Sequence, residues 1–183
     1  MQEEEKLIQK AQRGEKEAFG ELYDKYFPKI YRFILLKVSK RPDAEDLSHQ
    51  VFLSAWRNIY TYESRGFPFS SWLYRIAHNS VIDFYRTKRE YVDIELVSTE
   101  RISVDPEMEH LFDEKTELSL VKKMLAKLKE DEQTVLIMKF VDELSNKEVA
   151  EALGKSEGAV RVMQHRALKQ LKKYAEDSYE TEY

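Results

Sequence analysis

Two groups of side chains in this sequence have the types and spacing to handle nucleic acid. Arg161 and His165 stand one helical turn apart, with Gln164, Arg166 and Lys169 close by. From residue 155 to 173 there are six Lys or Arg against one acid, Glu157. Guanidinium, amide and imidazole groups so placed can neutralise phosphates and hydrogen-bond to base edges. The second group is Trp72, Arg75, Asn79, Asp83 and Arg86, which recur at helical spacing. An indole, an amide and two guanidiniums on one stripe combine ring stacking, base-edge hydrogen bonds and charge neutralisation. Arg86, Lys88 and Arg89 extend that surface. For this stripe a solvated face, with Asp83 pairing to Arg86 and Arg75, competes evenly with the nucleic-acid reading.

The first group needs a helix that can be presented end-on, and residues 144–173 supply it. Ser145 and Glu148 have capping-box spacing, Val149, Ala150 and Leu153 form a short apolar face, and Gly154 suits a tight turn. Ser156 can cap a second helix, in which Val160, Met163, Ala167 and Leu171 recur as a core stripe. This is the layout of a helix-turn-helix, whose second helix enters the major groove. A plain helical hairpin with a basic face is the alternative. The small residue, the glycine turn and the one-sided charge together favour DNA binding.

The second group needs a helix from Ser71, with Leu73, Ile76, Ala77, Ser80 and Phe84 buried and Tyr74, His78, Val81 and Tyr85 on the remaining side. Residues 60–71 before it, with Gly66 and Pro68, read as a loop. Phe67 and Phe69 in it either stack on bases or tuck back onto the bundle. Upstream, residues 3–13 predict a helix with Leu7, Ile8 and Ala11 on one side, stopped near Gly14. A longer pattern from Phe19 to Ile34 contains Pro28, where a kink or break is expected. Asp43 is the expected N-cap of the next helix, which runs through Leu47, Val51, Phe52, Ala55 and Trp56 to about Asn58. Capping also explains Asp43, Glu45 and Asp46 better than a metal-dependent nuclease does.

Residues 90–112 lose the helical period and read as an acidic, extended linker. The pattern resumes with Leu111, Leu118, Val121, Met124, Leu125 and Leu128, and Glu130 opens a further helix holding Val135, Leu136, Met138 and Phe140. The last residues, from Ala175, look frayed. The expected fold is therefore all-α, with two small helical domains joined by an acidic linker. They are an N-terminal domain at 1–92, the linker at 93–112, a four-helix domain with the helix-turn-helix at 113–175, and an acidic tail at 176–183.

Five Gly and four Pro in 183 residues suit such a fold. The net charge of −4 looks wrong for a nucleic-acid binder until it is partitioned: residues 1–89 carry +4, 90–119 carry −8, 120–175 carry +4 and 176–183 carry −4. Both globular parts are basic. There is no cysteine, no apolar run long enough to span a bilayer, and no signal-peptide profile at the start. A cytoplasmic location is the simplest reading. His49, His78, His110 and His165 lack metal-ligand spacing, so no metal and no cofactor is expected. An enzymatic reading lacks a glycine-rich phosphate loop, a metal cluster or a nucleophile constellation.

Four blocks, GEKEAFGELYDKYFPKIYRFI, DAEDLSHQVFLSAW, FSSWLYRIAHNSVIDFYR and LSNKEVAEALGKSEGAVRVMQHRAL, resemble in order and spacing those of the extracytoplasmic-function sigma factors of bacterial RNA polymerase. The resemblance covers roughly residues 3–175. It implies a protein that binds core polymerase at the β′ clamp and β flap, directs initiation at promoter DNA, and has no catalytic activity. The clamp-binding segment it implies carries Asp43, Asp46, Leu47, Gln50, Phe52 and Trp56. The −10 element would be received and opened by Tyr62, Phe67, Phe69, Trp72, Arg75, Asn79, Asp83 and Arg86. The −35 element would be read by Ser156, Glu157, Arg161, Gln164, His165, Arg166 and Lys169. An anti-sigma factor is a further possible partner, and membrane insertion is not expected. His49-Gln50 departs from a frequent Gln-Glu, and Ala159, Val162 and Met163 replace a frequent Thr, Ser and Arg. A free-standing, dimeric helix-turn-helix regulator remains the alternative, and it would bind palindromic DNA unaided.

Overall fold

The computed structural model describes residues 2–38, 40–92 and 123–180. Among the described residues every regular element is helical. The linker expected at 93–112, which includes His110 and Leu111, lies outside them, as do Leu118, Val121 and residues 181–183. The chain divides into two compact units, broadly 1–96 and 97–183.

The first unit is built from α1 (Gln2–Gln12), α2 (Lys16–Val38), α3 (Arg41–Asn58), a single 3-10 turn (Ile59–Thr61) and α4 (Phe69–Val92). Helix α1 buries Ile8 and Ala11 and ends where Gly14 takes φ +90°. Of the kink or break expected at Pro28, the break does not occur: α2 runs on through it. Pro28 is exposed, so water can take the carbonyl that its missing N–H leaves without a partner. From Phe33 to Val38 every residue of α2 is buried, because α3 and α4 both pack on it. Helix α3 begins earlier than expected: Lys40 occupies the N-cap without a side-chain bond, Pro42 lies in the first turn, and Asp43 is inside the helix. Proline is tolerated in the first turn because those N–H groups have no intrahelical acceptor. Leu22, Ile30, Ile34, Val51, Leu73, Ala77 and Val81 fill the core. Each large aliphatic among them contributes roughly 1.5–3 kcal/mol. The Phe33 and Tyr74 rings meet edge to face at 5.5 Å, and the Tyr85 hydroxyl donates to the Lys37 carbonyl at 2.6 Å.

The second unit contains α5 (Glu130–Leu136), a π turn (Ile137–Val141), α6 (Asn146–Leu153) and α7 (Glu157–Glu180). Residues 123–125 are helical as well, at the edge of the described range. The Glu132 carboxylate accepts from the Lys129 N–H at 3.3 Å at the start of α5. The wide π turn buries Ile137 and Met138 but leaves Phe140 54% exposed, so this ring, expected in the apolar pattern, stands outside the core. Leu125, Leu128, Val135, Val149, Val160 and Ala167 are buried. Helix α7 continues to Glu180, past the point where fraying was expected.

Candidate nucleic-acid interfaces

In the first unit the site begins with three rings. Tyr62 meets Phe69 edge to face at 5.1 Å, and Trp72 lies 5.3 Å from each. Tyr26 closes the cluster from α2, 5.7 Å from Phe69. Phe69 is fully buried and Tyr62 nearly so, so of the two readings open for Phe69 the ring tucks back onto the bundle. The reason is that Pro68 ends the loop and Phe69 already belongs to α4, with the Ser71 N–H donating to the Pro68 carbonyl at 3.1 Å. Phe67 and Trp72 are half-buried and keep part of their faces open.

The loop under these rings is fixed. Arg65 and Gly66 take φ +42° and +80° to reverse the chain. The Tyr62 hydroxyl donates to the Phe67 carbonyl at 3.3 Å. From α1, the Gln12 amide donates to the Ile59 and Tyr62 carbonyls at 3.1 and 2.8 Å. Burial, then the charges of Glu4 and Glu5, pushes the Tyr62 phenol up to about 12. Glu4 shifts the other way. Burial alone would raise it, but hydrogen bonds from Lys25 and Tyr26 outweigh that and hold its carboxyl below the usual range.

Helix α4 buries Leu73, Tyr74, Ala77 and Val81, whereas Ile76, Ser80 and Phe84 are only half-buried. The apolar face is therefore rotated from the expected one, toward Tyr74 and Val81. At about 100° per residue the stripe of Trp72, Arg75, Asn79, Asp83 and Arg86 falls on the side opposite this core. Arg75 is half-buried, while Asn79, Asp83 and Arg86 are exposed. Asp83 and Arg86 pair at 3.1 Å in the open, a contact of small net energy. Ile82, not anticipated, lies beside the stripe and is 42% exposed.

On α3, Asp46 and Gln50 are exposed, and Asp43 and Trp56 half-buried. Leu47 and Phe52 are buried, so in this arrangement they shape the surface from beneath. Phe52 packs against Tyr23 at 4.8 Å, and Trp56 against Phe19 at 4.9 Å. Leu53 was missed by the sequence reading and is exposed on the outward face. Its signal was the 46, 50, 53, 57 spacing, which puts it in line with Asp46 and Gln50.

The second unit carries the helix-turn-helix as expected. The Ser145 N–H donates to Glu148 at 2.7 Å, and the Glu148 N–H donates to the Ser145 hydroxyl at 3.2 Å. Gly154 makes the turn at φ +62°. The Ser156 hydroxyl accepts from the Ala159 N–H at 3.2 Å, so this oxygen serves as a cap. Lys155 pairs with Asp131 at 3.2 Å, tying the turn to α5. Val160 and Ala167 face inward, while Arg161, His165, Arg166 and Lys169 are exposed and Gln164 is half-buried. Glu157 pairs with Arg161 at 3.2 Å. Among the described residues no acid pairs with Arg166 or Lys169 in this way.

Among the described residues no group of three His, Asp or Glu could hold a metal ion. No described helix is long and apolar enough to cross a membrane. Family models described as Sigma-70 region 2 and Sigma-70 region 4 match residues 22–91 and 118–171. The first match spans α3, the ring cluster and almost all of α4, and the second spans the helix-turn-helix. The chain is 33% identical over 174 residues to the ECF RNA polymerase sigma factor BldN of Streptomyces coelicolor, with 93% of this chain and 65% of that one covered. It is 32% identical over 181 residues to the ECF RNA polymerase sigma factor SigW of Bacillus subtilis, covering 94% and 96%. The fold is similar to that of CnrH, solved in complex with the cytosolic domain of CnrY (TM-score 0.73, 24% identity, 93% and 96% covered). It is also similar to RpoE of Bartonella quintana, solved with the anti-sigma factor NepR (TM-score 0.72, 24% identity, 86% and 96% covered).

Proposed function

Since the chain belongs to the sigma-70 family, in its extracytoplasmic-function group, we propose that its two units handle two different promoter elements. The protein is a transcription initiation factor that makes RNA polymerase promoter-specific. We assign residues 1–92 to core binding and −10 opening, 93–112 to an acidic tether, 113–175 to −35 reading, and 176–183 to a tail. Trp72 and Phe67 stack against extruded bases, Asn79 hydrogen-bonds to base edges, and Arg75 and Arg86 hold the backbone. Asp83 limits the mobility of Arg86 by pairing with it. Tyr62 and Phe69 contribute by holding Trp72 in place. Stacking offsets the few kcal/mol or so needed to unstack and extrude a base.

On α7, Arg161, Gln164 and His165 address base edges, and Arg166 and Lys169 address phosphates. Ser156 and Glu157 set the start of the helix and the position of Arg161. The outward face of α3, with Asp43, Asp46, Gln50 and the edge of Trp56, meets the β′ clamp, supported from below by Leu47 and Phe52. The second unit meets the β flap. All chemistry belongs to the polymerase, in the cytoplasm, and no cofactor of this chain takes part. CnrH was solved with the cytosolic domain of CnrY, and RpoE with the anti-sigma factor NepR. An anti-sigma factor of that kind would hold this chain inactive.

One observation carries the reading: a doubly capped helix-turn-helix, lying inside the region 4 match, turns a cationic face outward. Run-off transcription with purified core polymerase and a promoter library is the test. Promoter-specific transcripts that require the chain are expected. Specific binding to a palindrome without core would overturn the reading.

A further inference from the structure

The solvent side of α7 has a feature that phosphate binding does not use. Val162 is 50% exposed. At about 100° per residue it lies nearly opposite the buried Val160, midway across the face formed by Arg161, His165, Arg166 and Lys169. An aliphatic side chain there gains nothing from the fold. One turn earlier on the same line is Gly158. A Cβ built on Gly158 would meet nothing nearer than the Ser156 hydroxyl at 3.9 Å, and its φ is not in the left-handed region. Glycine weakens a helix relative to alanine, yet neither crowding nor backbone conformation requires it here. Gly158 and Val162 together therefore make a shallow apolar notch in the first two turns of α7, the part of a recognition helix that meets base edges.

In the major groove the one apolar group on a base edge is the thymine 5-methyl. We propose that Val162 reads the 5-methyl group of a thymine in the upstream promoter element, with Gly158 giving the helix clearance to approach it. This rests on α7 being the helix that enters the groove. The cations beside the notch fix register on the backbone, while the valine selects the base pair, so its contribution appears as sequence preference and not as salt dependence.

Holoenzyme reconstituted from core polymerase and the full chain can be tested on a promoter it transcribes. Upstream thymines are replaced singly by uracil, which removes the methyl and keeps every pairing group. One position is expected to lose about fourfold in affinity, the worth of one buried methyl-sized group. Val162→Ala should bind the thymine duplex about as weakly as wild type binds that uracil duplex, and should no longer distinguish the two. Gly158→Ala should raise the melting temperature slightly, since nothing at the site requires glycine, and lose the same discrimination. Insensitivity of the wild type to every uracil, or a uracil penalty that survives in Val162→Ala, would overturn the proposal. Failure of the α7 reading looks different: Arg161→Ala would then leave upstream binding unchanged as well.

Discussion

On the proposed function the α4 stripe and the α7 face are two ways for a helix to meet DNA. The α4 stripe is aromatic at its start and nearly balanced in charge, since Asp83 occupies Arg86. Its indole rests on rings that belong to the core. The α7 face is cationic, without Phe, Tyr or Trp between Glu157 and Leu171, and is held by caps and a glycine turn. Rings backed by a core suit unpaired bases, which offer flat surfaces of any sequence. Cations around a small notch suit a closed duplex, whose phosphates set register while groove edges carry the sequence. On the proposed reading, one unit holds bases out of the stack and the other reads them in it.

Exchange of losses between the two units would break this comparison. Trp72→Ala is expected to have the largest effect. It removes a stacking ring worth about 1–3 kcal/mol, so open-complex formation should fall by one to two orders of magnitude while upstream duplex binding is retained. Permanganate reactivity at the start site reads the first, and footprinting reads the second. Trp72→Phe should restore part of it. Arg161→Ala comes next, with upstream binding reduced about tenfold or somewhat more. It also frees the Glu157 carboxylate close to the phosphates, so Glu157→Gln in the same background should recover part of the loss. Opening of a pre-melted template should be unchanged. Equal loss of both activities in both variants would dissolve the distinction.

Smaller effects sharpen it. Ser145→Ala removes one half of the capping box and should destabilise the second unit by about 1 kcal/mol. Hydrogen exchange should show this in α6 while α4 protection stays constant. The smallest effect is acid-sensitive and belongs to the first unit. The Glu4 carboxyl is held below its ordinary value of 4.5. Its stabilisation is thus complete above that value and lost as pH falls through the lowered folded one. The protection factors of the α1 amides, corrected for the intrinsic pH dependence of exchange, should fall on acidification, and Glu4→Gln should abolish that fall. Tyr62 behaves oppositely: its phenol is raised to about 12, so the stability it contributes is present below its ordinary value of 10.0 and lost as pH rises toward 12.

The helix-turn-helix was legible because its determinants are local. Ser145 and Glu148, Gly154 and Ser156 act within a few residues of themselves, and a 3.6-residue period then separates Val160 and Ala167 from Arg161 and His165. The α4 stripe was legible for the same reason, but the buried face behind it was misplaced. Large apolar residues surround that helix, and only packing by α2 and α3 selects Tyr74 and Val81 over Ile76 and Phe84. Phe69, Pro28 and Asp43 were misplaced or left open for a shared cause. Proline was read as punctuation, whereas in this fold Pro68 precedes a helix, Pro42 sits in a first turn and Pro28 lies on a wet face. Val162 was read only as the loss of a frequent Ser, because a recognition surface was sought among polar side chains.

The Gln12 amide holds the carbonyl of the residue whose ring supports Trp72. If the α4 stripe opens the promoter as proposed, this N-terminal segment is a tuning handle for strand separation. With the loop anchored, the indole is ordered before a nucleotide arrives, and its freezing entropy has been met during folding. Loosening that anchor would leave the ring chemically intact yet slower to capture its guest.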